Sequence, residues 1–204
     1  MKKFYGLVFA LLVLMGLSFS ANAAETVKGE VSFNWDKLTQ TERDNDILAI
    51  KNKIFTKDVV YSYDSAEFEK QYSPYKKDAS YKANMLLAKL GKTDLDDRII
   101  VPFYVKKLLY GYGLIYKNDL KRCYYYTALG GLFNIEIFQN DYNKYPVISY
   151  QYDKKGRLNS AVYTASDVDE YMYAVNGTFV GRWYKENYYN SKGKVIMTRV
   201  LPKN

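Results

Sequence analysis

Asp167, Asp169, Glu170 and Glu186 are the side chains in this sequence best suited to bond-breaking chemistry, because glycoside cleavage asks for little more than two carboxylates flanking the scissile bond. Nothing in their spacing sets the separation of any two. Histidine is absent from all 204 residues, which removes Ser-His-Asp and Cys-His catalysis, histidine-ligated zinc and imidazole acid-base work. The single cysteine, Cys123, lies in an aromatic run and reads as a buried, inert thiol. Asp94, Asp96 and Asp97 lack the central glycine and closing glutamate of a calcium loop and read as acids at a helix N-terminus. No glycine-rich phosphate loop is present. Asn176-Gly177-Thr178 has the form of a glycosylation sequon, but Asn-Gly is first of all a turn. No catalytic residue, metal or cofactor is expected.

The chemistry that remains is recognition. Residues 24–99 have a net charge of −1 and residues 100–204 a net of +7, and the second stretch holds 17 of the 23 tyrosines. Basic and aromatic character together suit contact with anionic polymers or glycans, and they equally describe a tyrosine-rich sheet with lysine-guarded edges. Alternation places Arg122, Tyr124, Tyr126, Arg157, Tyr163, Arg182 and Tyr184 on one wet face. Tyr124, Tyr126, Arg157, Tyr163, Arg182 and Tyr184 are the candidate partner-binding residues. The opposite parity, with Cys123, Tyr125, Ile135, Ile137, Tyr150, Tyr152, Tyr171, Tyr173 and Trp183, is more apolar and is assigned to the face the helices cover.

These residues must be positioned by a sheet. Residues 114–200 alternate short tyrosine-rich runs with turn signals at Asn118-Asp119, Gly130-Gly131, residues 141–144, Lys154-Lys155-Gly156, Ser166-Asp167, Asn176-Gly177 and Ser191-Lys192-Gly193. Seven turns imply an antiparallel meander of about eight strands. Asn176-Gly177 predicts a two-residue turn with positive φ at both positions.

Upstream the period changes. Lys2 and Lys3, the apolar residues 7–17 and Ala21-Asn22-Ala23 have the three parts of a signal peptide cleaved after Ala23. The apolar run is too short to span a membrane as a helix, and no transmembrane segment is expected after its removal. Residues 27–35 suit a short strand, and Thr39 with Glu42 offers a capping box for a helix to about Phe55, with Ile47, Ile50 and Ile54 on one stripe. Ser65 caps a short helix ended by Pro74, and Ala83, Leu86, Leu87 and Leu90 give another apolar stripe before Gly91. Residues 94–110 suit a helix or a strand, and a helix broken near Pro102 is preferred. The expectation is therefore an α+β protein: a signal peptide at 1–23, a helical part at 24–110, and a tyrosine-rich meander at 111–204 on which the helices pack, 24–204 forming one domain.

Tyr150-x-Tyr152-Asp153-x-x-Gly156-Arg157-Leu158-x-Ser160 resembles the YD repeat of Rhs-type and teneurin-type proteins, and Tyr171-x-Tyr173 before Asn176-Gly177 echoes it. Asn176-Gly177-Thr178-Phe179-Val180-Gly181-Arg182-Trp183, followed by residues 188–195, resembles the variant MORN hairpin repeat. Both resemblances imply chains of β-hairpins with glycine turns and carry no functional residue. The functional expectation is an exported, non-catalytic binding or structural module of the bacterial envelope. Its partner is a protein or an anionic polymer or glycan, not nucleic acid. The alternatives are a carboxylate-based glycan-cleaving enzyme and a toxin- or immunity-associated protein.

Overall fold

A computed structural model describes residues 40–201, the first four by backbone alone. The expected signal peptide, strand at 27–35 and capping box at Thr39 lie outside the described residues. Ten antiparallel strands run in sequence order: β1 (Arg98–Val105), β2 (Leu108–Tyr116), β3 (Arg122–Thr127), β4 (Leu132–Phe138), β5 (Val147–Asp153), β6 (Leu158–Ser166), β7 (Asp169–Ala174), β8 (Phe179–Tyr184), β9 (Asn187–Asn190) and β10 (Val195–Arg199). Each pairs with the next, and β10 pairs with β1 to close a barrel. The three helices described are short: α1 (Gln40–Ile54), α2 (Ser65–Tyr72), continued by a 3-10 turn (Ser73–Tyr75), and α3 (Tyr81–Lys89).

The expected α+β meander of about eight strands is overturned: the protein is mainly β and its sheet closes on itself. All seven predicted turns join strands. The two missed turns are Lys106-Lys107 and Lys185-Glu186. Lysines there take positive φ (48° at Lys106, 66° at Lys107, 54° at Lys185), a region that normally calls for glycine or asparagine. Nothing in the residue types announces them. The sheet also begins earlier than residue 111. The stretch preferred as a broken helix is β1 with the start of β2, and Thr93 opens no helix: its carbonyl accepts from Ile100 N at 2.7 Å. Pro102 is tolerated because its carbonyl faces β10, accepting from Val200 N at 3.3 Å, where the ladder pairs only Phe103 with Arg199 and Tyr104 with Thr198. A missing N–H on that side removes no bond to β2.

Closure gives the sheet two buried faces, so period-two alternation cannot separate wet from dry. Inside lie Ile99, Ile115, Cys123, Phe138 and Val147, joined through Val101 and Tyr125 to Phe103, Trp183 and Tyr188. Outside, Leu114, Tyr124, Tyr126, Ile135, Tyr152 and Tyr173 pack with Ile54, Phe68, Tyr72 and Ala88 of the helical layer. The parity assignment therefore mixed two faces: Tyr125 and Trp183 turn inward, whereas Ile135, Tyr150, Tyr152, Tyr171 and Tyr173 turn toward the helices. Register shifts between Tyr125/Tyr126, Gln151/Tyr152, Thr164/Ser166 and Met172/Tyr173 move the phase from strand to strand.

The outer layer explains the tyrosines. The hydroxyl of Tyr150 donates to Ile54 O at 2.8 Å, that of Tyr152 to Val60 O at 2.9 Å and that of Tyr173 to Ile47 O at 2.9 Å. Each ring is buried while its polar tip satisfies a backbone carbonyl of the overlying layer, which phenylalanine cannot do. Ile47, Ile50 and Ile54 of α1 pack on the barrel as the stripe predicts. Asp64, not Ser65, caps α2, accepting from Glu67 N at 2.9 Å. In α3 the apolar stripe is turned: Leu86 and Leu90 are exposed, and Asn84 and Ala88 are buried. Asn84 fixes that rotation by donating to Asp78 Oδ2 at 2.7 Å and accepting from Arg98 Nη2 at 2.9 Å.

Four hairpins share one turn. In residues 153–157 Gly156 N donates to Asp153 O and Asp153 N to Arg157 O, both at 2.9 Å. Lys155 N and Arg157 N donate to Asp153 Oδ1 at 2.8 and 3.0 Å. The same backbone pair recurs from Thr127, Ala174 and Asn190. At residues 174–178 this corrects the two-residue turn expected of Asn176-Gly177: Gly177 alone takes positive φ, at 78°, and Asn176 instead accepts from Thr178 N at 3.0 Å.

Candidate functional site

Up-and-down connectivity sends alternate turns to opposite ends of the barrel. At one end are the turns β1–β2, β3–β4, β5–β6, β7–β8 and β9–β10. They carry Lys106 and Lys107, then Lys154, Lys155 and Arg157, then Lys192 and Lys194, which is seven basic residues against one acid, Asp153 at the first position of the β5–β6 turn. The four turns at the other end balance: Lys117, Lys121, Lys144 and Lys185 against Asp119, Asp141, Asp167 and Glu186. The excess charge of the β half is thus focused on one end, where it adds into a single attractive field for anions.

On the rim of this basic end lies a cleft of about 390 Å³ lined by Glu69, Tyr72, Lys76, Leu132, Lys154 and Lys155, a volume within the range of small-ligand sites. Its walls are held by backbone bonds. Lys76 O accepts from Leu132 N at 3.0 Å and Gly130 O from Asp78 N at 2.8 Å, tying the segment after α2 to the β3–β4 hairpin. Tyr72 lies deep in the cleft, its ring 4.5 Å from that of Phe68 and its hydroxyl accepting from Arg122 Nε at 3.2 Å. Burial raises the pKa of this hydroxyl above the ordinary tyrosine value against the pull of Arg122, so it stays neutral. Among the described residues Lys76, Lys154 and Lys155 take part in no ion pair. Their charge is available to a ligand.

A second polar cluster lies inside the barrel. Glu136 accepts from the hydroxyls of Tyr125 and Ser149. Burial pushes its pKa up to about 7, and the Glu170 charge adds to the rise while the two hydroxyls oppose it. Glu170 pairs with Arg199, whose guanidinium stacks 4.7 Å from the Trp183 ring centroid. Interior residues near the basic end (Tyr125, Asn134, Gln151, Ser160 and Met172) are part-exposed, whereas Ile99, Ile115, Cys123, Phe138 and Val147 are buried. Apolar packing closes the charge-balanced end.

Of the sequence-predicted contact residues, Tyr124 and Tyr126 are only 2% and 1% exposed. Both lie in the cluster packed by the helical segment, with Tyr124 stacked 4.2 Å from Tyr75, while Tyr126 stacks 5.6 Å from Tyr112 of the neighbouring strand β2. Arg182 is fully buried, bonded at 2.6 Å by Nε and by Nη2 to the two oxygens of Asp169, and lies between the Tyr171 and Tyr184 rings. Tyr163 is part-exposed, with Lys53 Nζ 5.7 Å from its ring centroid, and Tyr184 is part-exposed beside Lys185. Arg157 is exposed at the basic end, paired with Asp153 at 2.6 Å. These six side chains do not form one exposed surface: Tyr124, Tyr126 and Tyr163 pack with the helical layer and Arg182 is buried, which leaves Arg157 and part of Tyr184 in solvent. The carboxylates considered for glycan cleavage are divided: Asp169 is held outside the barrel by Arg182, and Glu170 inside it by Arg199. Cys123 is buried, which raises its thiol pKa well above the ordinary value, as an inert thiol requires. No group of metal-ligating side chains occurs among the described residues, and no described helix is long and apolar enough to cross a membrane.

Sequence reasoning missed Lys106, Lys107 and Glu136. The lysines hid in an unrecognised turn. Glu136 gave a signal, as the one acid in the apolar run from Leu132 to Phe138. No family model, curated protein or solved structure matches the chain.

Proposed function

We propose that this protein is an exported, non-catalytic binding module of the bacterial envelope that engages an anionic envelope component through the basic end of its barrel. The observation that carries this reading is the segregation of charge: seven basic residues against one acid, Asp153, in the turns of one end, and four of each at the other. A closed barrel with packed interior clusters holds those turns on short hairpins, so the positive field has a fixed shape and costs little ordering on binding. Long-range attraction of this kind speeds encounter and weakens as salt rises. Export rests on the three-part N-terminal signal. The test is retention of the purified protein on a soluble polyanion, long-chain polyphosphate, at rising salt. Reversal of Lys106, Lys107, Lys154 and Lys155 to Glu is expected to abolish retention with an unchanged melting midpoint. Unaltered retention by that variant overturns the reading.

A further inference from the structure

Two adjacent hairpins at the basic end project leucines into solvent. Leu108, after the Lys106-Lys107 turn, is 75% exposed, and Leu129, in the β3–β4 turn, is 63% exposed. Strands β2 and β3 pair directly, so the two tips are neighbours on the rim. Apolar tips standing on a strongly basic end are poorly suited to a wholly hydrated polymer, which has nothing to cover them. They suit a surface that is anionic on top and apolar just beneath.

The cleft supplies the complementary half. Its charged groups are three lysines and one glutamate, with no arginine. Lysine ammoniums are compact point charges suited to the tetrahedral face of a phosphate rather than to planar bidentate pairing. The Glu69 carboxylate in the same lining can accept from hydroxyls, which a polyol headgroup carries. The cleft adjoins the Leu129 turn, because Leu132 is in its wall and Lys76 is bonded to Leu132.

We infer that the basic end docks on an anionic phospholipid surface, with Leu108 and Leu129 entering the acyl boundary while Lys76, Lys154 and Lys155 take a headgroup phosphate in the cleft. This rests on the reading of the basic end as the binding surface and names its partner.

The test is co-sedimentation of the purified protein with vesicles of phosphatidylglycerol and phosphatidylcholine in equal parts, against phosphatidylcholine alone. Retention on soluble long-chain polyphosphate is measured in parallel, and melting midpoints confirm folding. Wild-type protein is expected to sediment with the mixed vesicles only. Leu108→Ser with Leu129→Ser is expected to weaken vesicle binding about tenfold and to leave polyphosphate retention unchanged, a split that a purely electrostatic contact does not produce. Lys76→Ala, Lys154→Ala and Lys155→Ala are each expected to weaken vesicle binding roughly threefold, the size of an exposed ion pair. Glu69→Gln is expected to lower affinity for vesicles but not for polyphosphate. Vesicle binding that ignores the leucine substitutions, or that is equal on neutral vesicles, overturns membrane docking. If polyphosphate retention still depends on the lysines, the partner is a polymer and the basic end stands as the binding surface. Loss of both activities in the wild type sinks both readings.

Discussion

Glu136 shows what one buried carboxyl does to a small barrel. Its pKa is raised from 4.5 to about 7, so the folded protein binds its proton more tightly than the unfolded chain does. The stability this group contributes is complete below pH 4.5 and is lost as pH rises through about 7, at up to about 1.4 kcal/mol per pH unit across the window. Glu136→Gln removes the titration and keeps the packing. One hydroxyl still donates to the amide oxygen, and the other turns to accept from the amide nitrogen. In urea melts the variant is expected to match the wild type at pH 5 and to exceed it by roughly 2–3 kcal/mol at pH 8; a gap that does not change with pH sinks this account. At this scale the sequence was legible for identity and not for environment. Glu136 stood out among apolar neighbours, yet whether that strand faces water on one side depends on closure, which no single strand encodes. Tyr124 and Arg182 illustrate the converse. Both are types common on surfaces, and both are buried here because the fold supplies partners: Asp169 pairs with the Arg182 guanidinium, and the Tyr124 ring packs on those of Tyr75 and Tyr72.

At the scale of the element, turns that declare themselves by Asn, Asp or Gly were readable, and lysine turns were not. The places of seven hairpins followed from the former, though not their register, and the count of ten strands needed the latter. The shared turn also explains how helices sit on hairpins. A Cβ at Gly156, where φ is 79°, would lie 2.9 Å from Phe68 Cγ, an aromatic ring in the core; one at Gly177, where φ is 78°, would meet Lys51 Cε at 2.5 Å, the far end of a flexible side chain. Both positions penalise an L side chain through φ, but only Gly156 also lacks room. Gly177→Ala is therefore expected to cost about 1 kcal/mol and Gly156→Ala about 2–3 kcal/mol. Denaturant midpoints decide between them, and equal losses would mean that α2 does not rest on the β5–β6 turn. The α3 stripe failed for a related reason. Periodicity named an apolar face, but the hydrogen bonds of Asn84 set which side turns inward.

Across the whole molecule, the charge imbalance between the two halves of the chain was visible in composition, but its concentration at one end was not. Turn residues become neighbours only through up-and-down connectivity, which sorts them by whether they follow an odd or an even strand. Lys106 and Lys192 are far apart in sequence and belong to the same rim. The salt response expected of that rim differs from that of the fold. Retention on polyphosphate should fall steeply with salt, whereas thermal stability, which rests on the aromatic layers inside and outside the barrel, should change little. A melting midpoint that falls in step with retention would show that the lysine turns hold the barrel together rather than face a partner.

The seam between first and last strands has a consequence for how the chain acquires its shape. Among the described residues only Phe103 with Arg199 and Tyr104 with Thr198 pair across it, and the closing strand β10 is synthesised after the other nine. Until it docks, β1 and β9 are two open edges of a nine-stranded sheet, and an open edge is a template for a second copy. Assembly is thus a race between ring closure within one chain and strand exchange between two, decided by concentration. Removing residues 195–204 is expected to let exchange win, giving dimers and larger species by size-exclusion chromatography; a monomeric truncated chain would mean that the edges are protected some other way.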